Sequence, residues 1–121
     1  MKNLRTMVLV TVLSLFSITV FSQPDISGKW NTGDQNTILE IEQQDGVYIG
    51  RIISSDNPEV KPGKVILKDV KPKNAGWTGK IYAPRRDEWH DAEISINGDK
   101  MKLVMSVGFF SKTIEWTRHK P

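Results

Sequence analysis

The stretch AEISINGDKMKLVM (Ala92–Met105) decides the fold. Read with a turn at Asn97-Gly98, its apolar residues fall on alternate positions: Ala92, Ile94 and Ile96, then Met101, Leu103 and Met105. Glu93, Ser95, Lys100 and Lys102 take the opposite face. The period is two rather than the 3.6 of a helix, and the turn carries a glycine. That combination predicts an antiparallel hairpin with one dry face and one wet face.

A second stretch, ILEIEQQDGVYIGRII (Ile38–Ile53), repeats the pattern and fixes its own register. A two-residue turn at Asp45-Gly46 sets Gln44 against Val47, Glu42 against Ile49, and Glu40 against Arg51 as a charge pair. Leu39 and Ile41 then share a face with Tyr48 and Ile52. Slipping by one residue would carry Glu40 and Glu42 onto the core face, so this pairing is strongly specified. Gly50 falls on the inner face, where a missing side chain permits a bend or close packing.

Outward from these hairpins the same alternation predicts eight strands: Gly28–Thr32, Thr37–Gln44, Val47–Ser54, Lys64–Lys68, Trp77–Ala83, Trp89–Ile96, Met101–Gly108 and Lys112–Arg118. No segment has the pattern of an amphipathic helix. The fold class is all-β, and a small eight-stranded antiparallel up-and-down barrel closes such a chain without leaving edges. Two loops interrupt the series: the proline-containing SSDNPEVKPG (Ser54–Gly63) and the charged PRRDEWHD (Pro84–Asp91). Loops of this kind at a barrel rim are where binding groups usually sit.

The N-terminus has a different composition. Lys2 and Arg5 precede an apolar run from Met7 to Phe21, and Val20 and Ser22 stand where a signal peptidase would read. This predicts a signal peptide over residues 1–22 and a barrel domain over 23–121. The run is shorter than the roughly 20 apolar residues of a membrane span, so no transmembrane segment is expected after processing. The expected destination is export, to the periplasm or outside the cell. The whole chain has 17 Lys and Arg against 14 Asp and Glu. Without the leader's two cations the domain is nearly neutral, which removes the support for nucleic-acid binding from bulk charge. There are no cysteines, so neither disulfides nor thiolate metal sites are available, and the domain depends on one hydrophobic core.

Motifs for chemistry are sparse. In NAGWTGKIYAP (Asn74–Pro84), Gly79-Lys80 evokes a phosphate-binding loop, but the first glycine position holds Asn74 and the hydroxyl position holds Ile81. Asp87, Glu88, His90 and Asp91 have the right types for a divalent cation, but neighbours on a strand point to opposite faces. Glu42, Glu93 and Glu115 alternate outward, and no serine or histidine carries a nucleophile–base signature. No catalytic residue, metal site or cofactor is therefore assigned, and the chain reads as non-enzymatic.

GKW near the start of the domain, DGVYIGRI, PGKVILKDVKP, GWTGKIYAP and the closing IEWTR together resemble the domain-of-unknown-function 2147 family of exported bacterial proteins. The resemblance runs from Ile26 to Arg118, and PGKVILKD followed by GWTGKIY is its most specific part. It implies a lipocalin-like, calycin-type barrel and no established activity. Where that family usually has a short glycine-centred turn, this chain has RRDEWHD, with Trp89 at the aromatic position. Calycin-type barrels also share a Gly-X-Trp on the first strand and a basic residue ending the last. The matching residues are Gly28, Trp30 and Arg118. Arg118 shares a strand face with Ile114 and Trp116, so stacking on Trp30 would close the barrel bottom, worth about 0.5 to 2 kcal/mol.

An eight-stranded barrel is just wide enough to be filled by side chains or to hold one small ligand. The expected inward set is Tyr48, Trp77, Ile81, Ile94, Leu103 and Met105, with Arg85, Trp89 and His90 as rim candidates. The expected function is binding of a small hydrophobic or amphipathic ligand in the cell envelope. The alternative is a filled barrel acting as an envelope interaction or structural module.

Overall fold

The computed structural model describes residues 25–120. The leader expected over 1–22 lies outside them. Eight strands follow in order: β1 (Gly28–Asn31), β2 (Ile38–Gln44), β3 (Val47–Ser54), β4 (Val65–Lys73), β5 (Gly76–Ala83), β6 (Glu88–Asn97), β7 (Lys100–Val107) and β8 (Phe110–Arg118). Each pairs antiparallel with the next, and β8 returns to β1 through Trp30–Arg118 and Asn31–Thr117. The sheet is a closed up-and-down barrel, as the alternation predicts. Charged residues such as Glu42, Lys80, Asp91, Glu93 and Lys102 face outward and apolar ones inward. That is the reverse of the apolar outer band of a membrane-spanning barrel.

The first hairpin has the predicted register throughout, from Gln44–Val47 to Glu40–Arg51. Asp45 and Gly46 both take positive φ, 54° and 86°, as a type I′ turn requires. The charge pair is diagonal, however: Arg51 Nε lies 3.7 Å from Glu42 rather than reaching Glu40 directly opposite. The second hairpin turns one residue later than expected. Gly98 and Asp99 occupy the turn, so Asn97 pairs with Lys100 and Ile96 with Met101. Gly98 supplies the positive φ of 63°, and both apolar faces still point inward.

The main correction concerns β4, which continues past Lys68 to Lys73. Its pairing slips between Lys68 and Lys71 on the β5 side, and twice on the β3 side. Asp69, at φ 54°, is the extra residue. A bulge there lets Leu67 and Val70, three apart in sequence, both point into the core and be fully buried. Gly79 makes room for it. A Cβ at Gly79 would stand 2.7 Å from Val70 Cγ2, too close for any other residue without a shift. Gly50 is the counterpart on β3, where a Cβ would meet Leu67 Cβ at 3.1 Å. The strand also tolerates Pro72 because it lies beside the hairpin turn, opposite Trp77. β8 likewise begins two residues earlier than expected, at Phe110, and the β7–β8 turn is Gly108-Phe109.

Candidate functional site

The alternating chain direction puts different connections at the two ends of the barrel. At one end β2–β3, β4–β5 and β6–β7 are joined by two-residue turns. At the other, the connections are 32–37, 55–64, 84–87 and 108–109.

The end with the short turns is sealed. Residues 25–27 cross beneath it, and Ile26 is buried among the core residues. The Trp30 indole, fully buried, donates from Nε1 to the Ile26 carbonyl at 3.0 Å. Arg118 stacks on the same ring, its Cζ 4.1 Å from the centroid. Its two terminal nitrogens donate to the Ser27 and Asp25 carbonyls at 2.8 and 2.9 Å. Gly28 takes φ 116° here, and a Cβ on it would lie 3.2 Å from Arg118 Nη1. Sequence reasoning placed Gly28, Trp30 and Arg118 but missed Ile26, which precedes the first strand and belongs to no periodic pattern. The Asp25 carboxylate is held below the usual carboxylate range, chiefly by hydrogen bonds from the Ser27 side chain and backbone N–H.

Above the seal the barrel is solid. Trp77, Ile94, Leu103, Met101, Leu39 and Leu67 are buried in one cluster, with Tyr48 packed half-buried against it. Four of the six expected lining residues, Tyr48, Trp77, Ile94 and Leu103, therefore stand in this packed part. No buried side-chain nitrogen or oxygen among the described residues lacks a partner.

The other end is open. Two adjoining lobes of about 530 and 640 Å³ share Ile81, Tyr82, Pro84, Ile114 and Asp34. Trp116, Ile52 and Ile66 extend the first lobe, and Met105, Val107 and Phe110 the second. Ile81 and Met105 are thus the two expected inward residues that line it. One wall is braced by hydrogen bonds between the β1–β2 connection and the long loop. Asp56 N–H donates to the Gln35 carbonyl at 2.9 Å, the Asn36 amide to Asp56 at 2.7 Å, and Thr37 and Ser55 hydroxyls meet at 2.7 Å. The proline-containing loop expected at the barrel rim is therefore a structured wall.

On the far side β4 and β5 part. Their pairing ends at Leu67–Ile81, whereas β5 stays paired with β6 as far as Ala83–Glu88. Cations span the outer surface beside this gap. Lys64 Nζ lies 4.1 Å from the Tyr82 ring centre, and Lys68 Nζ lies 4.1 Å from that of Trp89. The two rings tilt against each other with centroids 5.4 Å apart. Trp89 is consequently an outer-face residue and does not line the mouth. Lys80, exposed on the outer face, pairs with Asp91 at 2.8 Å. The pair raises the lysine and lowers the carboxylate, the hydrogen bond being the main cause in both.

The rim candidates Arg85 and His90 both line the second lobe. The carboxylates considered as metal ligands are engaged separately: Asp87 accepts from the Tyr82 hydroxyl, Glu88 lies 3.4 Å from His90, and Asp91 holds Lys80. The lobe also contains Lys112 and Arg86, which sequence reasoning did not single out. The signal for Lys112 was present: it has the parity of Ile114, Trp116 and Arg118, all read as inward.

The stretches PGKVILKD and GWTGKIY fall on the neighbouring strands β4 and β5 and meet at this wall through Lys64 and Tyr82. A family model described as uncharacterized protein conserved in bacteria (DUF2147) matches residues 28–118. The chain belongs to the DUF2147 family. The match covers every strand of the barrel, from Gly28 at the seal to Arg118 stacked on Trp30. No curated protein and no solved structure gives a significant match. What this DUF2147 barrel does must therefore be argued from its own open end.

Proposed function

We propose that this protein is an exported, non-enzymatic barrel that binds a small hydrophobic or amphipathic molecule at its open end, within the cell envelope. The observation that carries the reading is the contrast inside the barrel. One half is packed solid, while the other holds lobes of 530 and 640 Å³ floored by Ile81, Met105, Ile114 and Trp116. Volumes of this order, with an apolar floor and a few polar groups at the rim, suit a single small ligand. The N-terminal leader pattern supports export.

Titration with the uncharged dye N-phenylnaphthylamine tests the reading, because Trp116 lies at the floor of one lobe. Saturable dye binding that long-chain lipophiles displace is expected. Ile114→Trp, which fills the space shared by both lobes, should abolish it without lowering the unfolding midpoint. Dye binding unaffected by Ile114→Trp would remove the mouth from consideration.

One observation favours the second reading, an interaction module. Phe109 is fully exposed at the β7–β8 tip and Phe110 beside it is 63 % exposed. An envelope protein captured by the wild type and lost with the double change Phe109→Ser and Phe110→Ser would establish that role.

A further inference from the structure

The two lobes differ in charge, and the difference names a ligand class. Asp34 and Glu59 balance Lys61 and Lys64 in the first lobe. In the second, Arg85, Arg86 and Lys112 face Asp34 alone, with His90 beside them. The other acids nearby are already committed: Asp87 holds the Tyr82 hydroxyl, and Glu88 lies against His90. Arg85, Arg86 and Lys112 have no ion-pair partner among the described residues.

Lys112 gives the arrangement its direction. It follows the inward parity of β8, pairs with Met105 across the strands, and stands one step toward the mouth from Ile114. A cation on the inner face of a barrel strand, directly above apolar side chains, is at odds with the alternation of every neighbouring strand. Lys112 is exposed at the rim of the lobe, on the strand face that Ile114 and Trp116 share. The floor beneath it is apolar: Ile81, Met105, Val107 and Ile114.

We infer that the second lobe selects an anionic amphiphile, an alkyl carboxylate or alkyl phosphate. Arg85, Arg86 and Lys112 donate to the head group, and the chain lies on the apolar floor. The inference rests on the ligand-binding reading and deepens it. Guanidinium groups suit both head groups, since they offer paired N–H donors to carboxylate or phosphate oxygens. A neutral lipophile would leave the three cations unmatched, and a cationic one would be repelled.

The test is displacement of N-phenylnaphthylamine by chain-matched decanoate, decyl phosphate, decanol and decyltrimethylammonium, each below its micellar concentration. The expected result is that one or both anions displace the dye about tenfold more tightly than decanol, the scale of a charge-assisted hydrogen bond. Whichever anion is stronger identifies a carboxylate or a phosphate head group. The advantage should shrink as salt is added. In the triple variant Arg85→Gln, Arg86→Gln and Lys112→Gln, the anions should fall to the level of decanol while decanol itself is unchanged. Circular dichroism checks that this variant is folded, and the wild-type series decides the question without it. Decanol or decyltrimethylammonium displacing the dye as well as decanoate does would overturn the charge assignment and leave the ligand-binding reading standing. Dye that binds but yields to none of the four would remove that reading itself.

Discussion

The two ends of this barrel are built from the same eight strands and differ in what is laid across them. At the sealed end a short N-terminal segment crosses the opening, and its three backbone carbonyls are all matched. Arg118 satisfies two of its carbonyls, Trp30 a third, and the guanidinium covers the indole. At the open end three of the four connections are longer. Their hydrogen bonds run along the rim rather than across it, from Gln35 and Asn36 to Asp56 and from Thr37 to Ser55. Matched polar groups allow backbone to be packed over a barrel mouth, because an unpartnered buried carbonyl costs about 1–3 kcal/mol. Where no segment supplies that matching, the mouth stays open to solvent.

The sharpest way to break the contrast is to cut into the seal. Trp30→Ala removes a fully buried indole, its hydrogen bond and the surface on which Arg118 stacks. A loss of about 3–5 kcal/mol is expected in urea unfolding, against less than half of that for Ile114→Ala at the half-buried mouth. Equal losses would mean that the ends do not differ in packing. Next in size is Gly79→Ala, at the wall between the halves, where a Cβ would press on Val70 of the bulge. About 1–3 kcal/mol should be lost; an unchanged midpoint would show that the bulge has slack.

Arg118→Gln should cost about 1–2 kcal/mol through its stacking and two carbonyl bonds. Arg118→Lys should not restore it, because one ammonium cannot reach both carbonyls and cover the ring. Full rescue by lysine would reduce the role of Arg118 to charge alone.

The smallest effects are those of pH, and they have opposite signs at the two ends. Asp25 and Asp99 at the sealed end are held below the usual carboxylate range by hydrogen bonds from Ser27 and from Lys120. Their contribution is present above the ordinary carboxylate value and is lost as pH falls through the lowered one. Tyr82 at the open end is pushed above the usual phenol value, chiefly by its hydrogen bond to Asp87. Only the neutral phenol donates, so that contribution is complete below the ordinary value and vanishes as pH rises through the raised one. Absorbance titration should show Tyr82 ionising late in the wild type and earlier in Asp87→Asn. Coincident curves would contradict the contact.

Much of this architecture was legible because it is local. Alternation in Ala92–Met105 and Ile38–Ile53 assigns each residue to a face, and burying one face pins the register. The misreadings arose where alternation fails. Leu67 and Val70 are three apart, so β4 looked finished at Lys68. Only the room provided by Gly79, on the next strand, lets the chain insert Asp69 and continue, and no alternation within β4 itself announces that room. The turn at Gly98-Asp99 was misplaced by one residue because either pair beginning or ending with Gly98 preserves both apolar faces.

The candidate site was less legible, because it is an assembly of parity and loop position. Arg85 and His90 were visible as a charged rim. Lys112 was overlooked because a lysine at a strand start reads as an ordinary surface residue; it is exposed, but its parity with Trp116 and Arg118 sets it on the face that leads to the lobe. By itself the sequence determined most of the strands and their facing, since these follow from side chains at fixed spacing, and the Trp30–Arg118 closure entered through the family resemblance. The tertiary structure alone decided that Ile26 seals one end, that Lys68 reaches Trp89 across β5, and that Arg85, Arg86 and Lys112 gather at a single lobe. Those contacts join residues whose separation along the chain carries no period, and only closure of the barrel brings them together.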